Sequence, residues 1–119
     1  MEMSHRGKSF VSIAEKARSD LKTLLNVPDN FTIFFFQGGA SMQFSAIPFN
    51  LFGDDEAPGA NYLTTGTWSQ GAIAEAKKYG NITEVANNKS QGYSTVADPG
   101  EWNIDANAKF FHYCDNETI

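Results

Sequence analysis

A near-continuous run of β-forming residues at positions 31–36 sets the class of fold that this sequence can adopt. The run lacks the polar–apolar alternation of a half-exposed strand, so it predicts a strand buried on both faces, as in parallel sheets covered by helices. A small-residue loop, Gly38-Gly39-Ala40-Ser41, and a second apolar segment follow it. The sequence therefore predicts a strand, a tight turn and a helix, which together are typical of an α/β protein.

Helical and strand patterns alternate along the rest of the chain. Apolar residues recur at helical spacing from Phe10 to Leu25, and Pro28 is expected to end this first helix. Pro48 is expected to kink the second helix, and Ser69 is the predicted N-cap of the third. This order predicts an α/β fold with three layers and a mostly parallel sheet. The further helices are predicted at residues 42–52 and 70–79, and the further strands at residues 61–65, 82–86 and 108–114.

Composition argues against two classes of partner. Nine basic residues against 14 acidic ones give a net charge of −5, whereas nucleic acids and anionic membranes are bound by a basic face. No apolar run approaches the roughly 18 residues that span a bilayer, so we expect neither a nucleic acid nor a membrane as partner. Cys114 is the only cysteine, which favours a reducing compartment. A cytoplasmic location is expected, or an organellar one if a targeting peptide precedes this sequence.

Three polar or glycine-rich loops follow predicted strands, at residues 37–41, 66–69 and 115–118. Because ligands of parallel sheets bind at the carboxyl ends of the strands, these loops are expected to converge on one site. The backbone at Ala40 and Ser41 opens a helix and suits a phosphate, although a tight turn without a ligand explains the loop equally well. Trp68 suits stacking on a flat ring or packing beneath its loop. The hydroxyl of Thr118 suits a ligand or the N-cap of a following helix.

Other polar residues give weaker signals. The guanidinium of Arg6, next to His5, suits a carboxylate or a phosphate, although a solvated surface pair is the simpler interpretation. His112 falls within a strand pattern and is expected to be structural. Cys114 has no base near it in the sequence and is expected to be a small buried residue. One cysteine and two distant histidines predict no metal site.

Four motifs give a more specific signal when they are taken together. They are Ser4-His5-Arg6-Gly7-Lys8, Gln37-Gly38-Gly39-Ala40-Ser41-Met42-Gln43-Phe44, Thr65-Gly66-Thr67-Trp68-Ser69 and His112-Tyr113-Cys114-Asp115-Asn116-Glu117-Thr118-Ile119. In order and spelling they resemble the motifs of the phosphoserine aminotransferase family, and the resemblance runs from end to end of the sequence. It implies a homodimeric, fold-type-I enzyme that uses pyridoxal 5'-phosphate. The implied reaction moves the amino group of glutamate to 3-phosphohydroxypyruvate, giving O-phosphoserine in L-serine biosynthesis.

The resemblance also implies roles for single residues. The backbone at Ala40 and Ser41 matches the segment that holds the cofactor phosphate, and Trp68 matches the tryptophan that stacks on the pyridine ring. Thr118 matches the threonine that bonds the ring hydroxyl. Arg6, with His5 beside it, matches the arginine that anchors the acidic substrate. Some members of the family carry an arginine where Ser41 stands here, so that contact to the substrate phosphate is in doubt.

The lysine that carries the cofactor and acts as general acid and base lies, by the same resemblance, beyond Ile119. Residues 1–119 are therefore predicted to be part of the cofactor-binding large domain, without an N-terminal segment, the lysine region and a small C-terminal domain. No residue of this chain is predicted to be catalytic. We expect the isolated chain to be inactive, and unstable or self-associated. The alternative is a truncated, non-catalytic relative that binds phosphate compounds or pairs with a full-length subunit.

Overall fold

The structure is a computed structural model that describes residues 3–54 and 56–117. Its first helix belongs to the first of two compact units. The chain divides into two units, Met1–Gln37 and Gly38–Ile119. Helix α1 (Lys8–Leu24) confirms the first predicted helix, and Lys16 and Asp20 form an exposed i,i+4 ion pair at 2.8 Å. No residue of α1 is buried.

Helix α1 ends in a backbone motif before Pro28 is reached. Asn26 adopts a left-handed conformation with φ 48°. The N–H groups of Asn26 and Val27 donate to the carbonyls of Thr23 and Lys22, at 3.3 and 3.0 Å. These two bonds form a Schellman motif, in which asparagine takes the place that glycine usually fills.

Residues 31–36 form no strand, so the prediction that opened the sequence analysis is wrong. The segment has no regular secondary structure, and Phe34 and Phe36 are 67% and 76% exposed. Their rings stack on each other at 5.8 Å between centroids. A strand requires a neighbouring ladder for its N–H and C=O groups, and within the described residues this segment has no such ladder. High β-propensity describes how side chains fit a sheet and does not supply that neighbour.

The second unit contains a three-stranded sheet, and every pairing in it is parallel. Its strands are β1 (Gly59–Thr64), β2 (Asn81–Asn87) and β3 (Phe111–His112), in the order β2-β1-β3. Gly59 pairs with Asn81 and Asn61 with Phe111. The α/β class with a parallel sheet is therefore confirmed, as are the strands predicted at 61–65 and 82–86. The strand predicted at 108–114 shortens to two residues, because only Phe111 and His112 form ladder pairs with β1.

Two helices pack with this sheet to form the core of the second unit. They are α2 (Ala40–Leu51) and α3 (Thr67–Ala76), which match the predicted helices at 42–52 and 70–79 apart from their ends. Tyr62 of β1 is 1% exposed, and α3 buries small or branched residues at helical spacing. Pro48 is buried inside α2, and the kink predicted there stays a prediction. The core cluster consists of Phe52, Ala60, Tyr62, Ala72, Ile73 and Ala76.

The segment between β2 and β3 is tied to the sheet by the side chain of Asn61. It contains two 3-10 turns, Lys89–Gln91 and Pro99–Glu101. The buried amide of Asn61 donates to the carbonyl of Asp105 at 2.9 Å and accepts from its N–H at 3.0 Å. Both polar atoms of this side chain are therefore satisfied inside the protein. Among the described residues, no helix is long and apolar enough to cross a membrane.

Candidate functional site

A cavity of about 380 Å³ lies at the carboxyl ends of β1 and β3. This is the edge at which parallel sheets bind ligands, and the volume lies in the range of small-molecule sites. The start of α2, the start of α3 and the chain after β3 all contribute to its wall. Two predicted site residues, Ala40 and Trp68, are thus placed on one cavity. The lining residues are Ala40, Phe44, Trp68, His112, Tyr113, Cys114, Asp115 and Asn116.

The start of α2 forms one side of the cavity. Ala40 is the first helical residue and Ser41 the second, and Gly39 precedes them with φ −78° and ψ 112°. Within the described part of the chain, no side chain caps this helix. The first N–H groups of a helix have no acceptor within the helix and carry a partial positive charge. A Cβ added at Gly38 would meet no atom within 4 Å, so the protein does not fill the space beside this loop. The arrangement suits an anionic group such as a phosphate.

Trp68 lies on the other side, as the second residue of α3, and its side chain is 43% exposed. The prediction that Ser69 is the N-cap is wrong, because α3 begins at Thr67 and Gly66 is its N-cap. Ser69 is instead a buried third residue, whose Oγ accepts from the N–H groups of Thr65 and Gly66 at 2.8 and 2.9 Å. The Ser69 hydroxyl thus accepts hydrogen bonds from the backbone just before the helix, as the side chain of the third-position glutamate does in a capping box.

The carboxylate of Glu117 binds the same helix end from a distant part of the chain. One oxygen accepts from the Trp68 N–H at 2.7 Å, and the other from the Ser69 N–H at 2.9 Å and the Thr65 hydroxyl at 3.2 Å. A negative charge at a helix N-terminus is stabilised by the aligned peptide dipoles. Partial burial raises the pKa of Glu117, but the hydrogen bonds from Ser69, Trp68 and Thr65 outweigh it and hold the pKa below its ordinary value.

Gly66 makes room for this carboxylate. A Cβ at Gly66 would lie 2.6 Å from Oε2 and 2.7 Å from Cδ of Glu117. The backbone of Gly66 is extended, with φ 172°, so its conformation does not itself require glycine. What requires glycine is the close approach of the Glu117 side chain.

Neutral aromatic and thiol groups form the floor of the cavity. The ring of His112 stacks on Tyr62 at 4.5 Å and meets the edge of Phe44 at 6.3 Å. Its Nδ1 is buried and has no hydrogen-bond partner among the residues that the structure describes, and burial lowers the pKa of the imidazole. Burial, with a smaller effect from Cys114, raises the pKa of Tyr62 to about 12. Burial, and then Glu117, raises the pKa of the Cys114 thiol, so it is not activated as a nucleophile.

The other predicted site residues are His5, Arg6 and Thr118. His5 and Arg6 belong to the first unit, where both are exposed in a turn closed by the Gly7 N–H and the Ser4 carbonyl at 2.9 Å. Thr118 lies outside the described residues. Across residues 3–54 and 56–117, no group of three or more histidine, cysteine, aspartate or glutamate side chains is placed to hold a metal ion.

Sequence reasoning missed the contribution of Glu117, which it treated as part of a turn. Glu117 lies 49 positions from Trp68, so no local pattern connects the two residues. The available signal was its place in the polar loop after the third strand, at the ligand-binding edge of the sheet, which it shares with Asp115.

Comparison with known proteins places this geometry in a family. The family description Aminotransferase class-V matches residues 1–119. The phosphoserine aminotransferase of Acinetobacter baumannii (strain ATCC 17978) is 50% identical over 120 residues, which cover 100% of this chain and 33% of that protein. The enzyme of the same name from Pseudomonas putida is 48% identical over 119 residues, covering 100% and 32%. The chain therefore spans about a third of the length of the curated relatives it matches.

Solved structures agree with these sequence relatives. The phosphoserine aminotransferase of Bacillus circulans subsp. alkalophilus superposes with a TM-score of 0.83 at 39% identity, covering 100% of this chain and 32% of that one. The pyridoxal-phosphate-bound phosphoserine aminotransferase of Trichomonas vaginalis superposes with a TM-score of 0.85 at 45% identity, covering 99% and 33%.

Proposed function

The chain belongs to the class-V aminotransferase family, and from that premise we propose that it forms part of a phosphoserine aminotransferase. In this proposal residues 1–119 are the cofactor-contacting part of the large domain. The complete protein transfers the amino group of glutamate to 3-phosphohydroxypyruvate. The catalytic lysine lies outside these residues, so the isolated chain is inactive.

The observation that carries the proposal is the placement of a helix start and an indole on one cavity. The uncapped start of α2 at Ala40 suits the phosphate of pyridoxal phosphate, and Trp68 offers a flat, partly exposed ring. Aromatic rings prefer offset or edge-to-face contact with other π-systems, and such contacts stabilise them by about 0.5–1.5 kcal/mol beyond area burial. The residues present therefore fit a phosphorylated heteroaromatic cofactor.

Each residue then has a definite role in binding. The N–H groups at Ala40 and Ser41 hold the cofactor phosphate without a side chain, so serine in place of arginine at position 41 leaves this contact intact. Trp68 orients the ring, and the raised pKa of Cys114 keeps its thiol protonated beside the cofactor. Pyridoxal phosphate, when bound, supplies the carbonyl carbon that accepts the amino group and the ring that stabilises charge at the α-carbon.

Substrate binding and assembly complete the proposal. Arg6 binds a carboxylate of the acidic substrate through a two-point pair, with His5 beside it, and Thr118 bonds the ring hydroxyl. The complete enzyme is a homodimer.

The test uses the full-length protein that carries this segment. We expect pyridoxal phosphate to bind it, and glutamate with 3-phosphohydroxypyruvate to give O-phosphoserine. Trp68→Ala is expected to weaken cofactor binding about tenfold, since a stacking contact of this size corresponds to such a ratio. Trp102→Phe is the matched control, because Trp102 stacks on Phe111 and does not line the cavity. Equal cofactor affinity in all three proteins would contradict the assignment of Trp68.

The coding sequence separates the two readings of this chain. A frame that continues past Ile119 into an aspartate and a lysine-bearing strand supports the aminotransferase. A frame that stops at Ile119 favours the truncated, non-catalytic relative, and phosphate compounds are then the ligands to titrate.

A further inference from the structure

We propose that Glu117 is a positioning residue, whose carboxylate fixes the Trp68 end of α3 against the chain that follows β3. The inference rests on the proposed function, because Trp68 is the residue whose placement matters for the cofactor. Glu117 is not among the residues that line this cavity; it lines the neighbouring cavity of about 330 Å³, which shares the segment 113–115 with it. In this inference Glu117 acts through the residues that it binds.

The hydrogen bonds of Glu117 connect two walls of the same cavity. The first wall is the start of α3, where the carboxylate accepts from the N–H groups of Trp68 and Ser69. The second is the segment 113–116, which lines the cavity directly before Glu117. One side chain therefore sets the separation of two elements that are 49 positions apart in the sequence. Trp68 is held through its own backbone, so a shift of the carboxylate moves the indole.

The site specifically requires a carboxylate. Its two oxygens accept from two N–H groups and one hydroxyl, and every partner is a donor. A glutamine of the same shape offers one oxygen and one NH₂ group, so one of its ends would face a donor with another donor. It also removes the negative charge from the helix N-terminus. Glu117→Gln therefore keeps the shape of the side chain but removes its charge and one of its hydrogen-bond acceptors.

Gly66 provides an independent way to disturb the same contact. Because a Cβ at Gly66 would lie 2.6 Å from Oε2, Gly66→Ala displaces the carboxylate while leaving its charge in place. If Glu117 acts by position, the two substitutions remove the same interaction. Their combined effect is then smaller than the product of the separate effects, as expected for residues in direct contact.

The experiment measures the affinity of the full-length apoprotein for pyridoxal phosphate and the hydrogen exchange of its backbone amides. Glu117→Gln is expected to raise the Kd for pyridoxal phosphate about tenfold, in line with a lost charge-assisted bond. Exchange at the amides of Trp68 and Ser69 is expected to accelerate in the apoprotein, while the rest of α3 keeps its protection. Glu101→Gln, an exposed carboxylate outside the cavity, is the matched control and should leave both readouts unchanged.

Each outcome is decisive. An unchanged Kd in Glu117→Gln, with tight binding in the parent protein, overturns the inference and leaves the proposed function intact. A parent protein that binds no pyridoxal phosphate overturns both. If Glu117→Gln does not fold, Glu117→Asp keeps the charge but falls short of the donors, and it is expected to reproduce the same loss. A double variant with Gly66→Ala whose Kd equals the product of the single effects also overturns the inference.

Discussion

Helices α1 and α3 differ in length and in how many of their residues are buried. Helix α1 runs for 17 residues, ends in a Schellman motif and buries no residue. Helix α3 runs for 10 residues and buries four of them. The longer and more regular helix is therefore the one without a core. Local sequence marks where a helix begins and ends, whereas burial, which supplies most of a helix's stability, depends on partners that come from elsewhere in the chain.

The same contrast separates the two β-forming segments. Residues 31–36 are more apolar than β1, yet they form no ladder, and Phe34 and Phe36 are largely exposed. Strand β1 has a parallel neighbour on each side, and Tyr62 within it is almost fully buried. Neighbours, and not propensity, decide which of the two is a strand.

The largest expected effect is on the association state of the isolated chain. Four phenylalanines within residues 31–36 are each more than half exposed, and contiguous exposed apolar side chains favour association, so we expect the 119-residue chain to self-associate. Sedimentation velocity is expected to show oligomers whose size falls in the double variant Phe34→Ser and Phe36→Ser. A monomeric parent chain with a cooperative unfolding transition contradicts this prediction. The phenylalanines are Phe31, Phe34, Phe35 and Phe36.

The next effect sharpens the comparison between the two β-forming segments. Tyr62→Ala removes a ring that stacks on His112 and packs against Phe110, so it is expected to lower the free energy of unfolding by about 3–5 kcal/mol. Phe34→Ala, at an exposed ring, is expected to change it by less than about 0.5 kcal/mol. Urea unfolding of the full-length protein that carries this segment, followed by circular dichroism, measures both. Equal losses would show that residues 31–36 are packed as firmly as β1.

A smaller effect is expected where α3 begins. Ser69→Ala leaves the N–H groups of Thr65 and Gly66 without their acceptor in a buried place. The expected loss is about 1–3 kcal/mol in the free energy of unfolding. Ser94→Ala is the matched control, because its hydroxyl donates to the Gln91 carbonyl on the exposed surface and its loss is expected to be well below 1 kcal/mol. Equal losses in the two variants would contradict the prediction, because they would show that the buried hydrogen bonds of Ser69 do not stabilise the start of α3.

The smallest expected effect is a dependence of stability on pH. The pKa of Glu117 is lower in the folded chain than its ordinary value of 4.5, so the folded state binds its proton less readily than the unfolded state. The stabilisation is therefore complete above about pH 4.5 and is lost as the pH falls through the folded pKa. Melting temperatures between pH 3 and about 6 are expected to fall less steeply in Glu117→Gln than in the parent chain. Glu101→Gln should keep the slope of the parent, and a common slope for all three contradicts the prediction.

Much of the second unit could be predicted from sequence because its signals are local. The helical spacing and turn residues around α2 and α3 locate both helices, and short β-forming runs locate β1 and β2 within two residues. The motif resemblance added Ala40 and Trp68, which the structure places on one cavity.

The failures share one physical cause, which is dependence on distant partners. Residues 31–36 needed a ladder neighbour that their own sequence does not encode. Ser69 looked like an N-cap because its hydroxyl precedes an apolar run, but the helix start is also fixed by Glu117, far along the chain. The last strand shortened because only Phe111 and His112 form ladder pairs with β1. None of these outcomes can be read from a window of ten residues.

The bond between Glu117 and the start of α3 also has a consequence for the order of events during synthesis. Trp68 leaves the ribosome 49 residues before the carboxylate that binds its N–H group. At about 5–20 residues per second, translation separates the two by roughly 2 to 10 seconds. During that interval water, and not the Glu117 carboxylate, solvates the N–H groups at the start of the helix. The final position of the indole is therefore set late, when the segment after the third strand arrives.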